Sequence, residues 1–538
     1  MKHFDTLGVM IDCSRDSLPN VARLKQFFDA IAKMGYNMAM LYTEDTYEVE
    51  DEPYFGYKRG RYTADELREL DGYARSVGIE LIPCIQTLAH LGSLKRWRAY
   101  RHKVFDIEDI LLVDEPKTYE LIERMIASVA KVFSGRRLHI GMDEAHHIGL
   151  GVYRDRHGAA DSYELLMRHL NRVNDIAKKY GFEIMMANDL FFSMSPGVFS
   201  STEEREFPAE LLAQVPPHCG MVYWDYFCTN PVQYNAMMRS TQKLTDNVWF
   251  SGGAWTWNNF TPHNRYSMRR NAVAIPCCIE NGVRQAFFCL WGDNGGECPY
   301  ESVLPALMHI AALGDDLSEA EMKAKFRAIT GEDFDAMMDL DLPNYIFGED
   351  VPVESPFFQR SACNYAKTHL YDDVFYGTMS ANIPEVDEAR IADFAERLHR
   401  RAAESKHRGF LFEAAASLVD VMEVKYNLAK KTRRLYHLGD RDGLRKLAEE
   451  DYNECLDRLQ IFYEQYRHQW FTVNKPYGFE IQDARLGGLS RRLEHCRDRL
   501  LDYADGKTDR IDELEEGLLP LRDTCVCSWA EMISASVI

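Results

Sequence analysis

No run of 18 apolar residues occurs in the 538-residue chain, so the sequence offers no helix able to cross a bilayer. The opening stretch MKHFDTLGVMIDCSRD holds a five-residue apolar run before Asp12, too short for the core of a secretion signal. Metal-binding spacing is missing too. The 13 cysteines are scattered, and the closest pairs, Cys277–Cys278 and Cys525–Cys527, fit neither a zinc knuckle nor a regular disulfide framework. Their odd number, with several inside apolar runs such as AFFCLWG, points to reduced thiols and a cytoplasmic setting. Positive charge is in deficit, 63 Lys and Arg against 84 Asp and Glu, a formal balance of −21. Such a surface repels phosphate backbones, which makes nucleic acid a poor partner. Internal repeats and low-complexity tracts are absent. What remains is a soluble globular composition, 46% hydrophobic and 27% charged. The chain also exceeds the roughly 250–300 residues that one core supports, so two domains are expected.

The first 315 residues alternate short apolar runs with amphipathic segments. The runs are TLGVMID (6–12), MAMLYTE (38–44), ELIPCIQ (80–86), RLHIGMD (137–143), EIMMAND (183–189), GMVYWDY (220–226), VWFSGGAW (248–255) and QAFFCLWGD (285–293). Near-continuous apolar character marks strands covered on both faces. Between them, segments such as NVARLKQFFDAIAKMG carry apolar residues at three- and four-residue spacing and stop at glycine. Eight strand–helix units predict an α/β fold, a (β/α)8 TIM barrel over 1–315, with a doubly wound sheet as the competing solution. The polar and aromatic residues closing the runs favour the barrel, whose chemistry sits at the C-terminal strand ends. From 316 to 538 the pattern becomes long helical stretches, read as an all-α domain serving packing or self-association, with a homodimer expected through it. VNKPYGFEIQDARLGG (473–488) is expected as a loop interrupting those helices, on the surface or reaching toward the barrel mouth.

The stretch RRLHIGMDEAHHIGLG (136–151) sets Asp143 beside Glu144. Three chemistries compete for it. A DEAH-type nucleotide motor needs a glycine-rich phosphate loop upstream, yet the one GKT, Gly506–Thr508, lies far downstream with Leu501 where the loop's first glycine belongs. A metal site from His139, Asp143, His146 and His147 lacks the HExxH pattern. On an extended strand, His139 and Asp143 would stand roughly 13 Å apart, and His139 reads better as a hydrogen-bonded core histidine. A carboxylate pair at a strand end fits best: mutual repulsion raises at least one pKa, and a protonated glutamic acid can donate to a leaving oxygen. Half of the eight tryptophans, Trp224, Trp255, Trp257 and Trp291, fall at the ends of the last three strands. They are placed to stack on a sugar ring or to fill core.

HIGMDEAH resembles the His-x-Gly-Gly-Asp-Glu signature of glycoside hydrolase family 20, the β-N-acetylhexosaminidases. GVMIDCSRD (8–16), YTED (42–45), IQTLAH (85–90) and LWGDN (290–294) resemble the family's first, second, third and last strand segments in order. The nearest branch is the small cytoplasmic type with a helical C-terminal domain. The resemblance implies an exo-acting, retaining hydrolase of terminal β-linked GlcNAc or GalNAc that needs no cofactor and no metal. The substrate's acetamido oxygen would attack C1, oriented by Asp143, while Glu144 acts as acid and then base. It further implies Trp291 as pocket floor, Asp293 as the acceptor for sugar hydroxyls, and Tyr226 as donor to the acetamido oxygen. Asp225, Trp224, Trp255 and Trp257 are further substrate contacts, and His90 with Glu44 or Asp45 forms a network behind the acid. The expected partner is a small oligosaccharide or glycoconjugate, not a membrane. Against the pattern, Leu7 stands where the family has a sugar-binding arginine, leaving Arg15, Arg59 or Arg61 to supply it. Met142 replaces a signature glycine, and Ala187-Asn188-Asp189 replaces a fifth-strand tryptophan. Trp255 and Trp257 replace a tyrosine–aspartate pair, and with strand one read as beginning at Leu7-Gly8 the family's preceding small α/β domain is not expected. A glycosidase with altered sugar specificity and a non-catalytic glycan-binding barrel are the alternatives.

Overall fold

Eight parallel strands close into a barrel in chain order: β1 (Thr6–Asp12), β2 (Met38–Tyr42), β3 (Glu80–Cys84), β4 (Arg137–His139), β5 (Glu183–Ala187), β6 (Gly220–Trp224), β7 (Val248–Gly253) and β8 (Gln285–Leu290). This is a computed structural model describing residues 2–194, 200–346, 365–382, 387–519 and 528–536; Cys525 and Cys527 lie outside them. Side chains alternate along each strand. In β1, Leu7, Val9 and Ile11 pack outward into the helix layer, while Met10 enters the barrel. The interior is filled by Met10, Met38, Met40, Met185, Trp249, Phe287 and their neighbours, unbranched or flat groups that fit an irregular space. A Cβ at Gly8 would push aside the thioether end of Met38.

All strands but β1 stop earlier than the apolar runs suggest, most of all β4, which ends at His139 rather than at Asp143. Gly141, Met142 and Glu144 adopt φ of 69°, 70° and 56°, a left-handed backbone that strand pairing cannot use. The carboxylate pair therefore sits on a turn, and the extended-chain geometry expected for it does not apply.

Helices return the chain between strands. Val21–Met34 starts at Asn20, whose side chain accepts from the Arg23 N–H, and stops at Gly35 in the left-handed region. Ala64–Ser76 opens with a reciprocal Thr63–Glu66 capping box. After β5 the described connection holds only the four-residue helices Leu190–Ser193 and Ala209–Leu212.

Beyond helix Leu304–Asp315 the named elements among the described residues are all helices. Gly409–Lys425, almost wholly buried, is the centre around which Glu388–Glu404 and Asn453–Val473 pack. Over 409–439 the helix breaks at Tyr426–Asn427 into Gly409–Lys425 and Leu428–Leu438. The 473–488 loop is corrected more sharply: only 474–478 are non-helical, and Phe479–Ala504 is one long helix. That short turn abuts the barrel mouth. Lys475 N–H donates to Leu18 O at 2.7 Å, and its ammonium reaches Gly60 O at 3.2 Å and Glu66 at 2.7 Å. No described helix is long and apolar enough to cross a membrane.

Candidate active site

A cavity of about 190 Å³ opens at the C-terminal ends of the strands and receives side chains from all eight loops or strand ends. Of the residues singled out from sequence, Asp143, Glu144, His90, Trp224, Tyr226, Trp257, Trp291 and Asp293 line it. Its size is below the roughly 300–1,000 Å³ of drug-sized ligand sites, which suits one ring rather than a polymer.

One wall is built from β3, β4 and β5. His90 Nε2 lies 3.1 Å from Asp143 and 3.6 Å from Glu144. The Gln86 amide donates to Asp143 at 2.8 Å and to the Tyr42 hydroxyl oxygen at 3.0 Å, while the Met142 N–H donates back to Gln86 at 3.2 Å. Gly141 makes this possible, since a Cβ would strike the Gln86 amide. Burial opposes charge on Asp143, but the facing His90 and the Gln86 donor hold its carboxyl well below the ordinary carboxylate range. Burial likewise opposes charge on His90, yet Asp143 lifts it to about 10, so the pair is ionic at neutral pH. Glu144 is half exposed, and burial followed by repulsion from Asp143 pushes its carboxyl upward. Its N–H donates to Asp189 at 2.8 Å. Asp189 is itself buried and, through burial and the Asp143 charge, raised to about 7. The result is one carboxylate kept ionised beside one whose proton affinity is raised. His90, Met142, Glu144 and Glu44 all have positive φ, and such left-handed non-glycine residues cluster where function over-determines the backbone.

The other wall comes from β8, β1 and β2. Arg15 stands 3.2 Å from Asp12, 3.4 Å from Glu44 and 3.4 Å from Asp293, with its guanidinium 5.2 Å over Trp291 and 5.3 Å over Tyr42. Leu7 faces the helix layer, so of the three bases considered it is Arg15 that enters the pocket. Arg59 instead pairs with Asp45, and Arg61 donates to the Phe55 carbonyl. Trp291 meets Tyr42 edge-on at 4.7 Å. Burial raises the Asp293 carboxyl against the pull of Arg15.

The aromatic side is layered. Trp224 stacks on Tyr226 at 5.3 Å, and Trp257 stacks on Trp255 at 3.7 Å. Tyr226 donates to Cys289 at 3.5 Å, leaving its ring against Trp257.

Four of the expected contacts stand back from the cavity. Trp255 is buried behind Trp257 as its backing. Asp225 accepts from the Phe227 and Cys228 N–H groups and the Tyr223 hydroxyl, so it shapes the loop after β6. Asp45 belongs to Arg59. Glu44, raised to about 7 by burial, accepts from Tyr42 behind Arg15. His139 is a buried pocket residue: its Nδ1 accepts from the Gly141 N–H, and burial lowers it to about 4. It lines the same cavity as Asp143, so the separation expected for a strand does not hold. No metal-holding group of His, Cys, Asp and Glu occurs among the described residues. Sequence reading missed Gln86, Asp189 and Tyr42. Each is an ordinary residue next to an apolar run, and only the turns bring them together.

A model of the glycosyl hydrolase family 20 catalytic domain matches residues 4–194, and one of the Glycoside Hydrolase 20C C-terminal domain matches 337–530. The chain belongs to glycoside hydrolase family 20. Among curated relatives, Hexosaminidase D of Homo sapiens is 28% identical over 136 residues, 25% of this chain and 28% of that protein. Hexosaminidase D of Bos taurus is 22% identical over 244 residues, 44% of this chain and 66% of that protein. The matches thus span from about a quarter to about two thirds of those relatives. Among solved structures, the Flavobacterium johnsoniae chitobiase is 16% identical with a TM-score of 0.48, covering 84% of this chain and 75% of that one.

Proposed function

We propose that this protein is an exo-acting, retaining β-N-acetylhexosaminidase that removes terminal β-linked GlcNAc or GalNAc through an oxazolinium intermediate. The observation that carries the reading is the His90-bridged pair: Asp143 held ionised and Glu144 shifted toward its acid form on one wall of a one-ring pocket. The family membership and the hexosaminidase names of the relatives support it.

In this mechanism the terminal sugar enters with its 2-acetamido group toward Asp143, which accepts the amide N–H and aims the carbonyl oxygen at C1. Glu144 gives its proton to the glycosidic oxygen as the C1–O bond breaks and the acetamido oxygen bonds C1. Water then attacks C1 from the vacated face. Glu144 takes the water's proton, the C1–O bond to the acetamido group opens, and β configuration is restored. This route departs from the paired-carboxylate rule of most glycosidases by using the substrate's own nucleophile. Trp257, Trp224 and Trp291 present ring faces to the sugar, while Arg15 and Asp293 meet its hydroxyls. Ala187 in the pocket favours a second reading, the same fold with room for an altered substituent.

Release of p-nitrophenol from the β-N-acetylglucosaminide tests the assignment. Glu144→Gln should lower kcat on the order of 10²–10⁴-fold, the usual worth of general acid–base catalysis. Rates equal to wild type would refute it. The ten free cysteines among the described residues support a reducing, cytoplasmic setting. Half-exposed Ile461 and Phe471 on the helical region support self-association through it, which sedimentation would decide.

A further inference from the structure

The segment after β8 carries Trp291 and Asp293 to the pocket and then doubles back. Gly292 N–H donates to Asp12 at 2.9 Å and Gly296 N–H to Gly292 O at 2.6 Å, with Asn294, Gly295 and Gly296 all at positive φ. The outer side of this turn is gripped by the helical region. Arg485, on helix Phe479–Ala504, donates from Nη1 to Asn294 O at 2.7 Å and lies 2.9 Å from Glu297. Glu297 also pairs with Lys367 of helix Tyr365–Tyr371. The Trp529 N–H donates to Asn294 Oδ1 at 3.0 Å, and the Arg485 guanidinium covers the Trp529 ring at 5.3 Å. The seat is close: a Cβ on Gly295 would fall 2.6 Å from Arg485 Nη1.

The side chains of Glu297 and Lys367 are 1% and 0% exposed, and that of Arg485 is 12%. Desolvating such a group costs about what its attraction returns, so stability is a weak reason to set two cations on one buried carboxylate. Fixing a backbone turn is a better one, because Arg485 spends one of its donors on the Asn294 carbonyl next to Asp293.

We propose that Arg485 is a positioning residue for the sugar site: through it the helical region sets where Trp291 and Asp293 stand, and so sets affinity for the terminal sugar. The inference rests on the hexosaminidase reading. It implies a division of labour, since the Asp143–Glu144 wall is held by the barrel's own loops and is untouched by Arg485.

The test uses the full chain carrying Arg485→Ala or Arg485→Lys. Lys367 remains as counter-ion to Glu297 in both, so no buried charge is stranded. Steady-state kinetics on p-nitrophenyl β-N-acetylglucosaminide and hydrogen exchange of residues 291–297 are read together. Arg485→Ala should raise KM roughly tenfold, the worth of a hydrogen bond from a charged donor, with kcat within about a factor of two. Exchange should quicken in that segment alone, and Arg485→Lys should fall between. Arg445→Ala, which breaks a surface pair with Asp505 elsewhere in the helical region, should change nothing. Unchanged KM with unchanged segment exchange overturns the proposal. So does a fall in kcat accompanied by faster exchange throughout, which marks a merely structural role. If the wild type hydrolyses no β-hexosaminide, the hexosaminidase reading fails instead, and segment exchange alone still decides whether Arg485 holds the turn.

Discussion

The two walls of the pocket are built on different terms. The Asp143–Glu144 wall has one ion pair, His90 on Asp143, and is otherwise held by a neutral amide, Gln86, by backbone N–H donors and by left-handed turns at Gly141, Met142 and Glu144, all supplied by β3, β4 and β5 and their loops. The Trp291–Asp293 wall is held by charge: Arg15 among three carboxylates on the inside, Arg485 and Lys367 on Glu297 on the outside. Proton transfer tolerates small errors in placement poorly, and a rigid hydrogen-bonded turn suits it. Sugar recognition spreads over several contacts, and an ion cluster that reaches into a second region can adjust it. On the proposed function, this difference would separate rate from affinity within one cavity.

His90→Gln should break the first wall with the larger effect. Removing a partner that orients a reacting group costs roughly 10–100-fold in activity. The pH profile gives a sharper reading. Without the facing cation Asp143 titrates higher, so the acid limb of kcat/KM rises. Glu144, which His90 lowers, moves up as well, so the alkaline limb, where the acid loses its proton, rises too. The whole bell should shift to higher pH; a profile that loses height without moving would show that His90 only fills space. Asp293→Asn addresses the second wall, with a smaller outcome. The expected change is roughly tenfold in KM with little in kcat, the acid limb left in place and the alkaline limb moved slightly to lower pH, because the Asp293 charge helps to raise Glu144. A kcat defect equal to the KM defect would erase the distinction between the walls.

Much of this was legible in the sequence, for identifiable reasons. β1 has its expected ends because Asp12 closes an unbroken apolar run. β4 does not, because Gly141 and Met142 extend the apolar pattern while leaving the sheet, and a pattern of hydrophobicity does not report the sign of φ. Asp143, Glu144, Trp291 and Asp293 could be singled out because each pair falls within three consecutive residues. Gln86, Tyr42 and Asp189 could not, since they join the site across strands 44 or more positions apart. Asp225 and Trp255 look like ligands in the sequence, but an adjacent turn and an adjacent indole claim them. The helix Phe479–Ala504 was hidden by two glycines, Gly487 and Gly488, at positions where a Cβ would meet nothing within 4 Å.

Three sulfur-bearing side chains belong to the cavity lining. They are Met10, Cys84 and Cys289, with the Cys84 thiol 3.9 Å from the Met10 thioether. Burial keeps both thiols protonated, Cys289 up to about 12, so they are slow toward alkylating agents, whereas a thioether needs no ionisation to react. Peroxide admitted through the sugar's own doorway would turn Met10 into a polar sulfoxide beside the substrate. Occupancy by N-acetylglucosamine should slow that inactivation, as peptide mapping of Met10 with and without the sugar would reveal. Met10 is thus a thioether in the cavity lining that a bound sugar would cover.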